Sequence, residues 1–336
     1  LMCCTLAFAI GCENEVNVAA DWEETAIVYA ALNPTDSVNY VRIQHTYLDQ
    51  NESAFAFVDE QDSLYYDKLE VYIDEYREGI FSKRIDLVKV DGNDEGVSKD
   101  SGLFYSGTNT LYKITDPILA SSFTVDYTYT LHVKNPRTGY TCNATTISMG
   151  NPNVLKPLSG DFGFVQPNVA EGHSIYINFQ EGKNVRSYTI DLDMRIEEFE
   201  INNPRNSVIK EVQWRMVNSG KTKSLTNLEK ATYLTPSVNF FAAIAAALPE
   251  DPTVGRRLVD FDMSYYGLSE ELNTYINVSK PSIGIIQKKP EYTNIENGLG
   301  IFTSRNIWRF QNRAFHVNTL TQLNLSEYTR NIGFVE

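Results

Sequence analysis

The sequence predicts a mainly β protein. An N-terminal antiparallel β-sandwich of immunoglobulin type is expected over 25–149, followed by a second β-rich domain over 150–336 with one buried helix near 236–248. Three observations lead there. Short runs alternate apolar and polar residues with a period of two, and turn-forming clusters separate them at close intervals. The chain is rich in aromatics, with 20 Tyr and 17 Phe, and such rings fit a pleated, half-buried surface. At 336 residues it is too long for one small core and comfortable for two.

The first run, TAIVYAAL from Thr25, leads through the turn NPTDS into NYVRIQHTYL. There Tyr40, Arg42, Gln44 and Thr46 alternate with Val41, Ile43, His45 and Tyr47, so the pair reads as two strands about a longer loop. KLEVYIDEY, FSKRIDLVKV, GLFYSGTNTLYKI and VDYTYTLHVKN follow, broken by DGNDEG and TDP. Strands this close, without a long helical period, suit a sandwich. No Cys…Trp…Cys spacing is present, so the immunoglobulin reading concerns architecture alone.

The stretch from Met149 to Gly160, MGNPNVLKPLSG, is rich in Gly, Pro and Asn and marks the boundary. Beyond it, SYTIDLDMRIEEF places Ile190, Leu192, Met194 and Ile196 on one face and Asp191, Asp193, Arg195 and Glu197 on the other. EVQWRMV and GRRLVDFDMSYY read similarly. TPSVNFFAAIAAALPED breaks the pattern. Thr235 suits an N-cap, Pro236 the first turn and Pro249 the end, with Val238, Phe241, Ala242, Ala245 and Leu248 on one helical face. So apolar a helix is expected to pack across the second sheet. SEELNTYINV, from Ser269, suggests a second short helix. In NIENGLGIFTSR, Gly298 and Gly300 point to a bulge or a close backbone approach ahead of the strand IFTSRNIWRF.

The amino terminus gives an address. Leu1 to Ile10 are uncharged and mostly apolar. This run is too short to span a bilayer and has the length of a signal-peptide core. It ends at Ala9-Ile10-Gly11-Cys12, which resembles the lipobox of bacterial lipoproteins, where a small residue precedes a cysteine that becomes acylated; Ala9 stands where that pattern usually has Leu. Residues 1–11 are then the remainder of the signal, Cys12 the lipidation site and 12–24 a polar tether. Glu13 and Glu15, just behind Cys12, resemble the export signal of Bacteroidota surface lipoproteins. Cys3 and Cys4 fall inside the signal, leaving Cys142 without a partner unless it pairs with Cys12, a pairing that acylation would exclude.

The formal net charge of −14 opposes binding to nucleic acid and to anionic membrane surfaces. No G-x-S-x-G, H-E-x-x-H, P-loop or G-x-G-x-x-G is present. His45, His132, His173 and His316 lie far apart without a second ligand at metal spacing. No cofactor is expected. Asp191-x-Asp193 and Asp260-x-Asp262 each set two carboxylates on one side of a strand. That arrangement serves a glycosidase acid pair or calcium, but it equally describes a solvated sheet face balanced by Arg195, Arg256 and Arg257, the reading preferred here. Tyr65, Tyr66, Tyr72 and Tyr76 form one aromatic-rich patch and Tyr265 with Tyr266 another. Exposed, these would be stacking platforms for a sugar or a protein; most tyrosines in such a chain belong to its core.

The lipobox-like end, the stretch YAALNPTDSVNYVRIQHTYL and the late NIENGLGIFTSR together resemble a group of Bacteroidota lipoproteins that share a domain of unknown function. The resemblance implies a β-rich protein anchored in the outer membrane, on its surface or periplasmic face. Such lipoproteins often accompany nutrient receptors energised through TonB, so an outer-membrane receptor or envelope protein is the implied partner. It carries no catalytic residues to transfer. The expectation is a non-catalytic binding or accessory component; a glycoside hydrolase and a purely structural envelope component are the alternatives.

Overall fold

The computed structural model describes residues 23–46, 64–99, 107–156, 162–165, 174–221, 230–280 and 291–335. Cys12, the signal remainder, most of the tether and His173 lie outside them. The protein is mainly β, as the alternating runs predict.

The first half is a sandwich built from β1 (Ala26–Leu32), β2 (Asn39–His45), β3 (Glu70–Arg77), β4 (Ile80–Asp91), β5 (Thr110–Ile114), β6 (Tyr127–Lys134) and β7 (Thr141–Ile147). One leaf is β1-β2-β5 and the other β3-β6-β7. The twelve-residue β4 passes from one to the other: Ile80–Asp86 pair with β3, and Leu87–Asp91 pair with β5. With β2 beside β5 and β3 beside β6, the chain follows the Greek-key order of an immunoglobulin sandwich. Alternation sends Val28, Leu32, Val41 and Ile43 inward from one leaf and Val71, Ile73, Leu131 and Val133 inward from the other, making one core. Tyr129 on β6 is fully buried. Its hydroxyl accepts from the Leu119 N–H at 2.7 Å and donates to Glu75 Oε2 at 3.2 Å, tying the strand to the chain ten residues upstream as a tyrosine corner does.

The second half holds a second core. β10 (Ser187–Glu200), β11 (Asn203–Lys221), β13 (Val254–Leu268) and the far half of β14 (Gly298–Arg313) form an antiparallel sheet in the order β11-β10-β13-β14. Its apolar face, including Ile190, Leu192, Met194 and Phe261, is covered by α1 (Val238–Ala247) and by a small sheet of β8 (Asn153–Lys156), β9 (Ser174–Gln180) and β12 (Lys230–Pro236). α2 (Glu270–Ser279) follows β13 and is capped by the Ser269 hydroxyl, which accepts from the Leu272 N–H at 3.2 Å. α3 (Val317–Leu323) follows β14.

α1 departs in detail from expectation. Thr235 and Pro236 do not open the helix; they end β12, paired with Ile175 and Ser174 of β9. Cross-strand pairing overrides the local capping signal, and the helix starts at Val238 with Ser237 before it and no side-chain cap. The buried positions are Phe240, Phe241, Ile244 and Leu248, because Phe240 stacks on Phe164 at 4.1 Å and turns the helix inward.

β14 belongs to both halves. Gly298–Ser304 run parallel to β1, and Arg305–Arg313 run antiparallel to β13. Just before it, Glu296 and Asn143 of β7 exchange backbone hydrogen bonds of 2.8 and 3.2 Å, closing the sandwich. Gly300 sits at φ +100°, and a side chain there would run into the Val28 carbonyl of β1. This is the close backbone approach that its sequence setting predicts.

Candidate functional site

The four strand aspartates do come together on the polar face of the second sheet, as a ladder of ion pairs. Asp193 and Asp262 face each other across β10 and β13, as do Arg195 and Asp260. The Arg195 guanidinium donates to Asp260, to Asp262 at 3.1 Å and to Asn312 Oδ1 at 3.0 Å. Asp193 accepts from Gln213 Nε2 at 2.8 Å. Asp191, only 2% exposed, is gripped by Nε and Nη2 of Arg215 at 2.8 and 2.9 Å, so this part of the expected wet face is roofed by an arginine. Burial pushes the Asp262 carboxyl up, but hydrogen bonds from Arg195 and the Asn312 N–H, with the charges of Arg195 and Arg309, outweigh it and hold the group below its ordinary value. A glycosidase acid needs a raised carboxyl; the shift at Asp262 runs the other way.

The tyrosines divide among three places. Tyr265 is a core residue, stacked on Tyr188 at 5.4 Å, while its neighbour Tyr266 is partly exposed on the polar face. The expectation of a surface pair is corrected at Tyr265: strand alternation must send one of two adjacent tyrosines inward. Tyr72 and Tyr76 stand on the outer face of β3. Both faces of the Tyr72 ring are taken, by His132 from β6 at 4.7 Å and by the Arg84 guanidinium from β4 at 3.8 Å, so it offers no free stacking surface. Its neighbour Asp74 is held below its ordinary value by Arg84 hydrogen bonds that outweigh burial. Tyr76 meets Phe81 edge-on at 6.0 Å.

Tyr65 and Tyr66 lie elsewhere, at one end of the sandwich, where they line a groove of about 740 Å³. This end gathers the start of β1, the end of β2, the approach to β3 and the β6–β7 turn, the end that carries recognition loops in immunoglobulin variable domains. The turn is built by the run NPRTG. Asn135 Oδ1 accepts from the Arg137 N–H at 3.0 Å, the Gly139 N–H donates to the Asn135 carbonyl at 2.9 Å, and Gly139 takes φ +80°. Asn135 also donates through Nδ2 to Glu24 at 2.7 Å, locking the turn to the start of β1.

The lining is polar and locally cationic. Lys68, Lys89 and Arg137 stand against Glu24 and Asp67, and among the described lining residues Pro136 alone lacks a polar side chain. Lys89 Nζ donates to two neutral carbonyls, Tyr66 at 3.0 Å and Asp67 at 2.8 Å, so its charge is held in place but not neutralised. Among the described residues, Lys68 and Arg137 have no carboxylate partner. Tyr65 and Tyr66, 6% and 9% exposed, bury hydroxyls that make no hydrogen bond among the described residues. Burial, followed by the Glu24 charge, pushes the Tyr66 hydroxyl well above its ordinary value, so it stays a proton donor at neutral pH.

Of the other sequence candidates, His45 lines this groove and meets Tyr66 edge-on at 5.2 Å. His316 caps α3 by accepting from the Asn318 N–H at 3.2 Å. Cys142 is a free buried thiol on β7, pushed up to about 11 by burial. Among the described residues no three His, Cys, Asp or Glu side chains gather as a metal site would require. Lys68, Lys89, Asn135 and Arg137 escape the sequence reading because they become neighbours only through the Greek-key order; the turn signature NPRTG was the visible signal. No protein-family model matches the chain, and no curated protein matches it.

Proposed function

We propose that this chain is a non-catalytic binding component of a bacterial cell envelope, tethered by lipid at Cys12, that engages a polymer or an envelope protein through the groove at the loop end of its sandwich. The supporting observation is that groove: on a β scaffold, cations without carboxylate partners and two buried hydroxyls without a hydrogen bond, both among the described residues. The address rests on the sequence alone, on the apolar run ending at Gly11-Cys12 and on the resemblance to Bacteroidota lipoproteins, and an outer-membrane receptor is the envelope partner in view. Among the described residues no helix is long and apolar enough to cross a membrane.

The test has two arms. Intact-mass analysis of chain extracted from membranes should give an acylated Cys12; an unmodified thiol there removes the anchor. Photo-crosslinkers placed at Thr138 and Lys68 in native cells should capture the same species, while one at Val208, on exposed β11, should not. Capture at Val208 alone would move the binding surface away from the groove.

A further inference from the structure

We propose that the start of β1 is a tension joint: a pull arriving through the N-terminal tether is taken in shear by the parallel β1–β14 ladder and passed along β14 into the second sheet. This deepens the anchored reading above and rests on it for its purpose, since a chain held by lipid and bound to a partner lies in the line of any force between the two.

The register sets the direction of loading. All seven residues of β1 pair in parallel with β14, from Ala26 beside Gly298 to Leu32 beside Ser304. The tether enters at the Ala26 end. β14 leaves at the Leu32 end and continues, as one sixteen-residue strand, into its antiparallel pairing with β13. A pull on the tether against the second half therefore draws the two strands in opposite directions along their own axes. The ladder bonds are then strained together, whereas peeling would break them one after another. The core opposes slippage as well. Ala26, Val28 and Leu32 are fully buried, and a shift of one residue would turn that face outward.

The point of entry is fastened separately, to three other elements. Glu24 accepts from Asn135 Nδ2 in the β6–β7 turn at 2.7 Å. The Thr25 carbonyl accepts from the Thr46 N–H, just past β2, at 2.9 Å. The Ala26 N–H donates to the Tyr140 hydroxyl at 2.9 Å, and that hydroxyl donates to the Asn297 carbonyl just ahead of β14. The passage between the halves is fastened too. Asn306, fully buried, donates to the Gly150 carbonyl at 3.1 Å and to Asn151 Oδ1 at 2.7 Å. Lys183 of the second half pairs with Asp126 of the sandwich at 2.7 Å. From tether to second sheet the line of force runs through paired strand.

The experiment is single-molecule stretching of the full chain. Handles attached at positions 23 and 311 load the ladder in shear; handles at 23 and 296 peel it from one end. At one loading rate the shear pair should rupture at about twofold or more the force of the peeling pair, because its bonds share the load. Gly300→Ala, which sets a methyl group against the Val28 carbonyl, should lower the shear force by about a third or more. Tyr140→Phe, which removes only a hydroxyl and should fold, is expected to lower it by a smaller step, and Ile209→Ala on exposed β11 should leave it unchanged. Equal forces in the two directions, or release of sandwich strands before the ladder parts, overturns the joint, whether or not the protein is acylated. An unmodified Cys12 removes the lipid anchor alone and leaves the dependence on direction standing.

Discussion

Two charged surfaces stand on this molecule, and they differ in who satisfies them. On the second sheet every carboxylate that the sequence singles out has a partner from a neighbouring strand: Asp191 has Arg215, Asp193 has Gln213, and Asp260 and Asp262 share Arg195. At the loop end of the sandwich, among the described residues, Lys68 and Arg137 lack a carboxylate and two tyrosine hydroxyls lack a hydrogen-bond partner. A closed network spends its electrostatics on the fold; an open one has interaction left for something outside it. The comparison teaches that density of charge in a sequence is a poor guide to a site, and incompleteness of its pairing a better one.

The sharpest way to break this contrast is to open the closed network. Arg215→Ala leaves Asp191 buried and unpaired, and should destabilise the protein by about 2–3 kcal/mol, towards the low end of such losses because Arg215 is 53% exposed and already half-solvated. Chemical denaturation measures this, and ligand binding by the folded variant should be unaffected. A loss below about 0.5 kcal/mol would mean the pair is ornamental.

Arg195→Leu should reverse a pH dependence. In the native protein Asp262 is held below its ordinary value of 3.8, so its contribution to stability is complete above that pH and is lost as pH falls through the lowered value. Without Arg195, burial, the facing Asp193 and the nearby Asp260 raise the folded carboxyl above its unfolded value, and this part of the stability grows as pH falls. Melting temperatures between pH 7 and 3, compared for the two proteins, should diverge at neutral pH by the equivalent of roughly 1–2 kcal/mol and converge in acid.

The open network answers in the opposite sense. Tyr66→Phe removes a buried hydroxyl that has no partner among the described residues, so stability should hold or rise by up to about 1 kcal/mol. A loss of stability would show that the hydroxyl is satisfied in solution. Smallest of all, Lys68→Gln and Arg137→Gln should change stability by less than about 0.5 kcal/mol, because neither charge has a carboxylate partner among the described residues. A thermal scan checks this, and a larger change would make these residues structural and the contrast false.

Much of the architecture was legible from the alternation of residues. Val41 and Ile43 against Tyr40 and Arg42 identify a strand and its inner face, and Ile190, Leu192, Met194 and Ile196 do the same for the second core. Gly300 announced a close approach of backbone. What alternation cannot report is which strands become neighbours. The passage of β4 between leaves and the sharing of β14 depend on pairings far apart in sequence. The limits of α1 depart from the local capping signal because pairing of Thr235 with Ile175 outweighs it. The site suffered most. Tyr65 and Tyr66 proved to lie in the groove, but only the Greek-key order brings Lys68, Lys89 and Arg137 beside them. No local pattern distinguishes a tyrosine such as Tyr265, buried in a core, from one beside a groove.

The sharing of β14 also sets a timetable for biosynthesis. Ala26 finds its partner in Gly298, so at ribosomal speeds roughly fifteen to fifty seconds separate the emergence of the two. Wherever the chain folds, it carries an unpaired β1 edge until Gly298 arrives, a template for pairing with other polypeptides. A premature stop anywhere before Gly298 would therefore yield a fragment with a permanently open edge rather than a smaller functional protein.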